Sequence, residues 1–483
     1  LLPTAFSKVP MNEGSQFDPE AEPSPLASLA RLPQMVYRAA RWNFLRGGWL
    51  WPHLRRHRRF DRAALPPGRP VDVMVLFADH FEPAKRFGDA AAVESVRSWC
   101  ADYEALAGRH RDADGRPPQH TWFYRYDYPH PGCVRALGEC VFRGFGEVEF
   151  HLHHGRDTHA AFSHTLREGV AWFNRSGAML TAEPRPRPYF GYVAGNSALD
   201  NGAGDPALSG CDTELAALRD AGCYADFTFP SLGSPAQPRK TNAIYYATED
   251  GRAKSYDRGV DLRAGGRASG DLLMFQGPTS VDWGNGAFED GALENSSPPH
   301  PRRMAAWLSA HVHVAGRPEW VFIKLHTHAM QNRAAFLGRA MDELLSAMEH
   351  WWNRPPFRLY YVTAREAYNI AKAAEADYSG NPNAYRDHLI PPPANRVISC
   401  DAPWRLHSYS PQRVHLELLE PGPARVEFGR GPLRSIRGHL REIEALYANG
   451  EVERLRVEGE GSFAVQPARY ADVIQSGSAV AAE

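Results

Sequence analysis

The sequence predicts an α/β protein built on a parallel sheet, and three observations carry that prediction. Short apolar runs alternate with helical periodicity from Val71 to about Ala364, which is the pattern of repeated strand-helix units. The runs read as strands at Val71–Phe77, His120–Tyr126, Glu147–His153, Tyr189–Val193, Tyr224–Phe229, Leu272–Gln276, Trp320–His326 and Arg358–Val362. A chain of 483 residues, 43% of them hydrophobic, also has room for one large domain and small appendages. Such alternation implies a parallel barrel or a doubly wound sheet, and seven or eight units over this length suit a barrel with insertions. The segment between Ser231 and Asp271 is the longest insertion.

Residues 1–70 form a Pro-rich arm with a basic aromatic stretch from Tyr37 to Arg62, which is expected to pack on the main domain or to meet a membrane surface or partner. The barrel is expected over 71–395. After its seventh strand, Phe336, Leu337, Met341, Leu344, Leu345 and Met348 fall on one helical stripe and belong to the core. Pro391-Pro392-Pro393 marks a boundary, and 396–483 reads as a small α+β module, with strand-like runs at Arg413–Glu417 and Arg454–Glu458 around a helical segment at Ile436–Ala448.

A formal net charge of −1 argues against a nucleic-acid binder, which needs a surplus of Lys and Arg to release counterions. The six cysteines form no CxxC pair, so neither a zinc knuckle nor a disulfide scaffold is expected. No apolar run is long enough to span a bilayer, and no secretory signal is visible, so a cytoplasmic, reducing setting is expected.

The chemistry gathers where the strands end. In GEVEFHLHHGRD, alternation puts Val148, Phe150 and Leu152 on one face and Glu149, His151 and His153 on the other. In WVFIKLHTHAM it likewise separates Val321, Ile323 and Leu325 from Lys324, His326 and His328. Apolar side chains suit the helix-covered outside, so both histidine pairs face inward. The first strand delivers Asp79 and His80 to the same mouth, and His154 follows the third strand. Imidazoles with a carboxylate are what a divalent transition metal binds while keeping positions open for water. The loop Gly195–Gly202, with Asn196, Asp200 and Asn201, either reads sugar hydroxyls or satisfies its own backbone. Asp226, in mid-strand, is expected to make a structural hydrogen bond.

These residues resemble the polysaccharide deacetylase superfamily, the carbohydrate esterase family 4 or chitooligosaccharide deacetylase-like group, over about Val71 to Ala364. The resemblance implies a distorted (β/α) barrel of seven or eight strands. It places Asp79-His80 at the family's aspartate pair, Asp79 as base and His80 as ligand. The family's His-x-x-x-His motif is similar to the stretch from His151, with Gly155 where the second histidine would stand, so His153 or His154 takes its place. Arg187-Pro188-Tyr189 resembles the family's arginine motif, Asp282-Trp283 its Asp-Trp element, and Ile323-Lys324-Leu325-His326 its closing Leu-His motif.

What the resemblance implies is hydrolysis of an N- or O-acyl group on a carbohydrate. One divalent metal would serve, zinc first and cobalt, nickel, iron or manganese as alternatives. Asp79, His80, His151 and His153 or His154 would surround it, with Asp79 taking the water's proton and His326 or His328 protonating the leaving group. Arg187, Asn196, Asp200, Asn201 and Lys324 would line the substrate, Lys324 in an electrostatic rather than nucleophilic role. Rival readings are an amidohydrolase-like or histidinol-phosphatase-type metal hydrolase, which also use HxH pairs, and a barrel that binds glycan without catalysis.

Overall fold

The computed structural model describes residues 48–56, 65, 68–181, 188–282 and 287–402, together with strand segments between 404 and 465. The arm's remaining residues, Arg187 and Trp283 lie outside the described residues, as does the side chain of Asp282.

All eight expected strands are present: β1 (Val71–Phe81), β2 (His120–Arg125), β3 (Gly146–Leu152), β4 (Phe190–Ala194), β5 (Cys223–Asp226), β8 (Leu272–Phe275), β11 (Trp320–Thr327) and β12 (Phe357–Tyr361). Within the insertions lie four more: β6 (Ile244–Ala247), β7 (Val260–Asp261), β9 (Ser280–Asp282) and β10 (Ala287–Glu289). The central sheet runs β11-β1-β2-β3-β4-β5-β8-β6-β7, with β12 also on β1. Pairing is parallel from β11 through β8, and antiparallel where β6 and β7 join.

No strand ladder closes this sheet into a barrel among the described residues. Irregular segments bridge its ends instead. Phe322 N–H donates to Val312 O, Ala315 N–H to Leu262 O, and Leu262 N–H to Ile244 O, which links β11 to β6 through loop backbone. The physical reason lies in the insertions, whose irregular chain occupies the gap that a further regular strand would fill.

The sheet has an apolar cluster on each face. Val73, Val75 and Phe77 with Val148, Phe150 and Leu152 pack outward against helices, among them α2 (Pro83–Ala107), α3 (Pro131–Phe142), α4 (His159–Asn174) and α8 (Arg339–Trp352). Met74, Leu76, Phe123, Phe227 and Phe322 face inward with Ala367, Ile370 and Ala371 of α9 (Ala364–Glu375). Two further short helices are α5 (Glu214–Asp220), just before β5, and α6 (Met304–Ala310), before β11, and α7 (Arg333–Phe336) precedes α8. The stripe expected after the seventh strand is thus split by a break at Gly338, with Phe336, Met341, Leu344, Leu345 and Met348 all buried. The arm contributes α1 (Leu50–Arg56).

Beyond the sheet, β13 (Ile398–Cys400), β16 (Ala424–Phe428) and β19 (Gly461–Val465) form one small sheet. Strands β14 (Trp404–Tyr409), β15 (Arg413–Leu418), β17 (Leu440–Leu446) and β18 (Val452–Glu458) form another. Both sheets contribute to a single apolar cluster that reaches Leu180 and Ala394. The helix expected at Ile436–Ala448 is therefore corrected: its centre is β17, paired parallel to β15 and antiparallel to β18. LREIEAL favours helix locally, but Ile443 and Ala445 are buried two residues apart, so cross-strand burial overrides propensity.

Candidate metal centre

The centre forms at the carboxyl-terminal ends of β1 and β3. Strand alternation along β1 sends Met74, Leu76 and Ala78 inward, and the same parity carries His80 and Glu82 to the inner mouth. Asp79 has the opposite parity. Its Oδ2 accepts from His120 Nε2 at 3.0 Å and its Oδ1 from Ala329 N–H at 2.8 Å. His120 is itself wrapped by Trp99, Tyr103, Trp122 and Phe336. Asp79, fully buried, thus ties the outer layer together rather than facing the histidines.

Three atoms converge from Glu82, His151 and His153. Glu82 Oε1 lies 2.9 Å from His153 Nε2 and 3.4 Å from His151 Nε2, and the two imidazole nitrogens are 3.1 Å apart. His151 Nδ1 is 2.8 Å from the Val193 carbonyl oxygen. A carbonyl only accepts, so Nδ1 carries the proton and Nε2 presents a lone pair to the group. Two ligand atoms on a tetrahedral zinc would stand about 3.4 Å apart, from metal-ligand bonds of about 2.0–2.1 Å. These three side chains could hold a metal ion.

The surroundings keep the trio in its ligating states. Burial pushes the Glu82 carboxyl up, but the imidazoles of His151 and His153 beside it outweigh this and hold it well below the usual range. Burial holds His153 below the usual histidine value against the pull of Glu82. Gln331 Nε2 donates to Glu82 Oε2 at 3.1 Å, and Arg125 Nη1 approaches Oε1 at 3.3 Å. Arg125 is fixed by Asp127, whose Oδ1 also accepts from His153 N–H at 3.1 Å. Gly195 makes room for the imidazole: a Cβ there would lie 2.5 Å from the His153 ring.

The other expected residues fall in three places. His80 sits beside the trio, its ring 4.9 Å from that of His151 and 4.6 Å from that of His328. Burial, with His328 and His151 adding to it, holds His80 well below the usual value, so it is neutral. His328 donates from Nδ1 to Glu294 Oε1 at 2.7 Å, and this partner raises its pKa despite burial. His326 is pushed down by burial and Lys324, and its buried Nδ1 has no hydrogen-bond partner. Lys324 is fully buried on the Phe227 carbonyl, and burial lowers its ammonium to about 7.

His154 does not join the trio. Its ring nitrogens donate to Asp157 and Glu214, both at 3.0 Å, and these carboxylates raise its pKa against burial, leaving no lone pair for a metal. Gly155 accepts no side chain, because a Cβ would lie 2.1 Å from the Ala207 carbonyl oxygen. Asp200 is buried, accepting from Ser255 N–H at 2.7 Å, and Asn201 donates to Asp212 at 2.8 Å, so both build the loop itself. Asn196 is the exposed member of that loop, next to Gly195, in a left-handed conformation with φ of 54°. Asp226 accepts from Thr228 Oγ1 at 2.7 Å inside the sheet.

Sequence reasoning missed Glu82. The signal was present: β1 runs on to Phe81, and its parity separates Glu82 and His80 from Asp79. No known family model matches the chain, and no curated protein matches it.

Proposed function

We propose that the protein is a metal-dependent hydrolase that removes an acyl group from a carbohydrate. The observation that carries the reading is the convergence of Glu82, His151 and His153, with the His151 tautomer set by the Val193 carbonyl. Two imidazoles and a carboxylate suit zinc, with cobalt, nickel, iron or manganese as alternatives. Such an ion, when bound, supplies an activated water and polarises an acyl oxygen. The carbohydrate acyl substrate rests on the motif likeness to polysaccharide deacetylases.

The chain's own residues supply the proton steps. His80 borders the trio, its ring 4.9 Å from that of His151, so it is placed to accept a proton, the role that Asp79 cannot take from the outer face. His328, held protonated by Glu294, donates to the leaving amine or alcohol. It suits that role better than His326, which is pushed toward the neutral form, and its side chain is 39% exposed against the buried Lys324. Arg125 and Asp127 hold Glu82 and His153 in place.

The test measures metal content of the purified protein and acetate release from partially acetylated glucosamine and galactosamine oligomers. About one metal per chain is expected, with activity that chelator removes and metal restores. Binding of metal and oligomer without acetate release would leave a glycan-binding protein. Phosphate release in a parallel phosphoester assay would favour a phosphatase-type site.

A further inference from the structure

We propose that the arm docks the protein on an anionic bilayer surface. Helix α1 has two unlike faces. Trp49, Leu50 and His53 are buried, with Trp49 edge-on to Phe288 at 5.3 Å, in a small cluster with Leu232. Trp51 and Leu54 point away, 56% and 59% exposed, the two most exposed large apolar side chains described. Arg55 lies on the same outward face, its guanidinium 5.0 Å from the Trp51 ring centre.

Two apolar side chains alone hold a protein weakly on lipid, so a second attraction is needed. The sequence supplies it. Between Tyr37 and Arg62 there are eight arginines and a single aspartate, in a chain whose net charge is −1. Basic charge this close in sequence to an outward Trp and Leu complements anionic headgroups over an acyl boundary, where Trp rings settle and Arg side chains reach back to phosphate. A nucleic acid would use the charge but has no place for Leu54.

Helix α1 also lies at the mouth end of the sheet. Leu232 follows the carboxyl end of β5, and Phe288 precedes the Gly291–Leu293 segment, which hydrogen-bonds to the His326 backbone. Docking through α1 therefore brings the mouth toward the bilayer. This geometry does not depend on what the centre catalyses.

The experiment is sedimentation of the full chain with phosphatidylcholine vesicles, with and without phosphatidylserine, at low and high salt. Binding is expected only with phosphatidylserine, and weaker at high salt. Trp51→Ala/Leu54→Ala and, separately, Arg55→Glu should each weaken it by about tenfold while melting temperature and metal content stay unchanged. Equal binding to both vesicle types, or undiminished binding by the double variant, would overturn the proposal. So would vesicle-free behaviour in which the wild type self-associates through this face, or captures RNA but not lipid.

Discussion

The two ends of the central sheet are both rich in buried polar groups, yet they handle charge in opposite ways. Beneath the starts of β2 and β3, Glu147 binds Arg365 at 2.8 Å and Arg396 at 3.1 Å. Glu366 binds Arg386 at 2.8 Å and Arg116 at 3.1 Å, and Arg386 reaches Asp112 at 3.3 Å. Every carboxylate there faces a guanidinium. At the mouth, imidazoles stand against imidazoles: His151 against His153, His80 against His151 and His328. Saturated pairing satisfies buried charge and offers a ligand nothing, whereas lone pairs gathered without enough donors are what a cation would satisfy. Burial and polarity alone do not mark a site; the balance of donors and acceptors does.

The contrast is broken most sharply at His151. His151→Ala should abolish metal uptake and lower activity by about 10³-fold or more, since the ion is asked for several kcal/mol of transition-state stabilisation. Circular dichroism and melting should remain those of a folded chain. Metal content near one per chain in the variant would show that the trio is not the centre.

At the base, the expected damage is to stability. Arg396→Met leaves Glu147 with one buried guanidinium fewer and should cost about 3–5 kcal/mol by urea unfolding, with metal content of the folded protein unchanged. The boundary read from Pro391–Pro393 passes beside this residue, so a chain ending at Asn395 should be far less soluble than the full one. Acid should act here too. Burial raises the Glu366 carboxyl, but Arg116, Arg386, Arg396 and Arg365 outweigh it and hold it well below the usual range. A depressed carboxylate stabilises the fold above its unfolded pKa, and that contribution is lost as pH falls through the acid range toward the folded value. Glu366→Gln should flatten this part of the stability-pH curve.

The strands were legible because period-2 burial is written locally, and so was the inward face of β3, where His151 and His153 separate from Val148 and Phe150. Glu82 was not read because the strand expected from the sequence stops at Phe77, before the polar pair Asp79-His80. Continuing the parity would have turned Asp79 outward and brought Glu82 in. The base was unreadable for another reason: Arg396 and Glu147 are 249 residues apart, and no local pattern announces such a pair. Asp79 tests the point. Asp79→Asn should keep the metal and lose about 1–3 kcal/mol of stability through its weakened bond to His120. Loss of metal would return Asp79 to the centre.

The finest distinction is between the histidines of β11. Burial lowers His328, and the Glu294 hydrogen bond and charge more than reverse this, so its imidazolium persists above the usual histidine range. As a proton donor it would support activity at low and neutral pH, and activity would fall as pH rises through its raised pKa. Glu294→Gln removes the carboxylate and leaves burial dominant, so the alkaline limb of kcat/KM should move to lower pH. At neutral pH the rate should drop, because less of the donor is then protonated. Metal content should not change, because neither residue belongs to the trio. His326→Ala should leave that limb where it is, since His326 is already neutral across this range. A limb that follows His326 rather than Glu294 would exchange the two roles and make the buried, partnerless Nδ1 of His326 the more telling feature of the mouth.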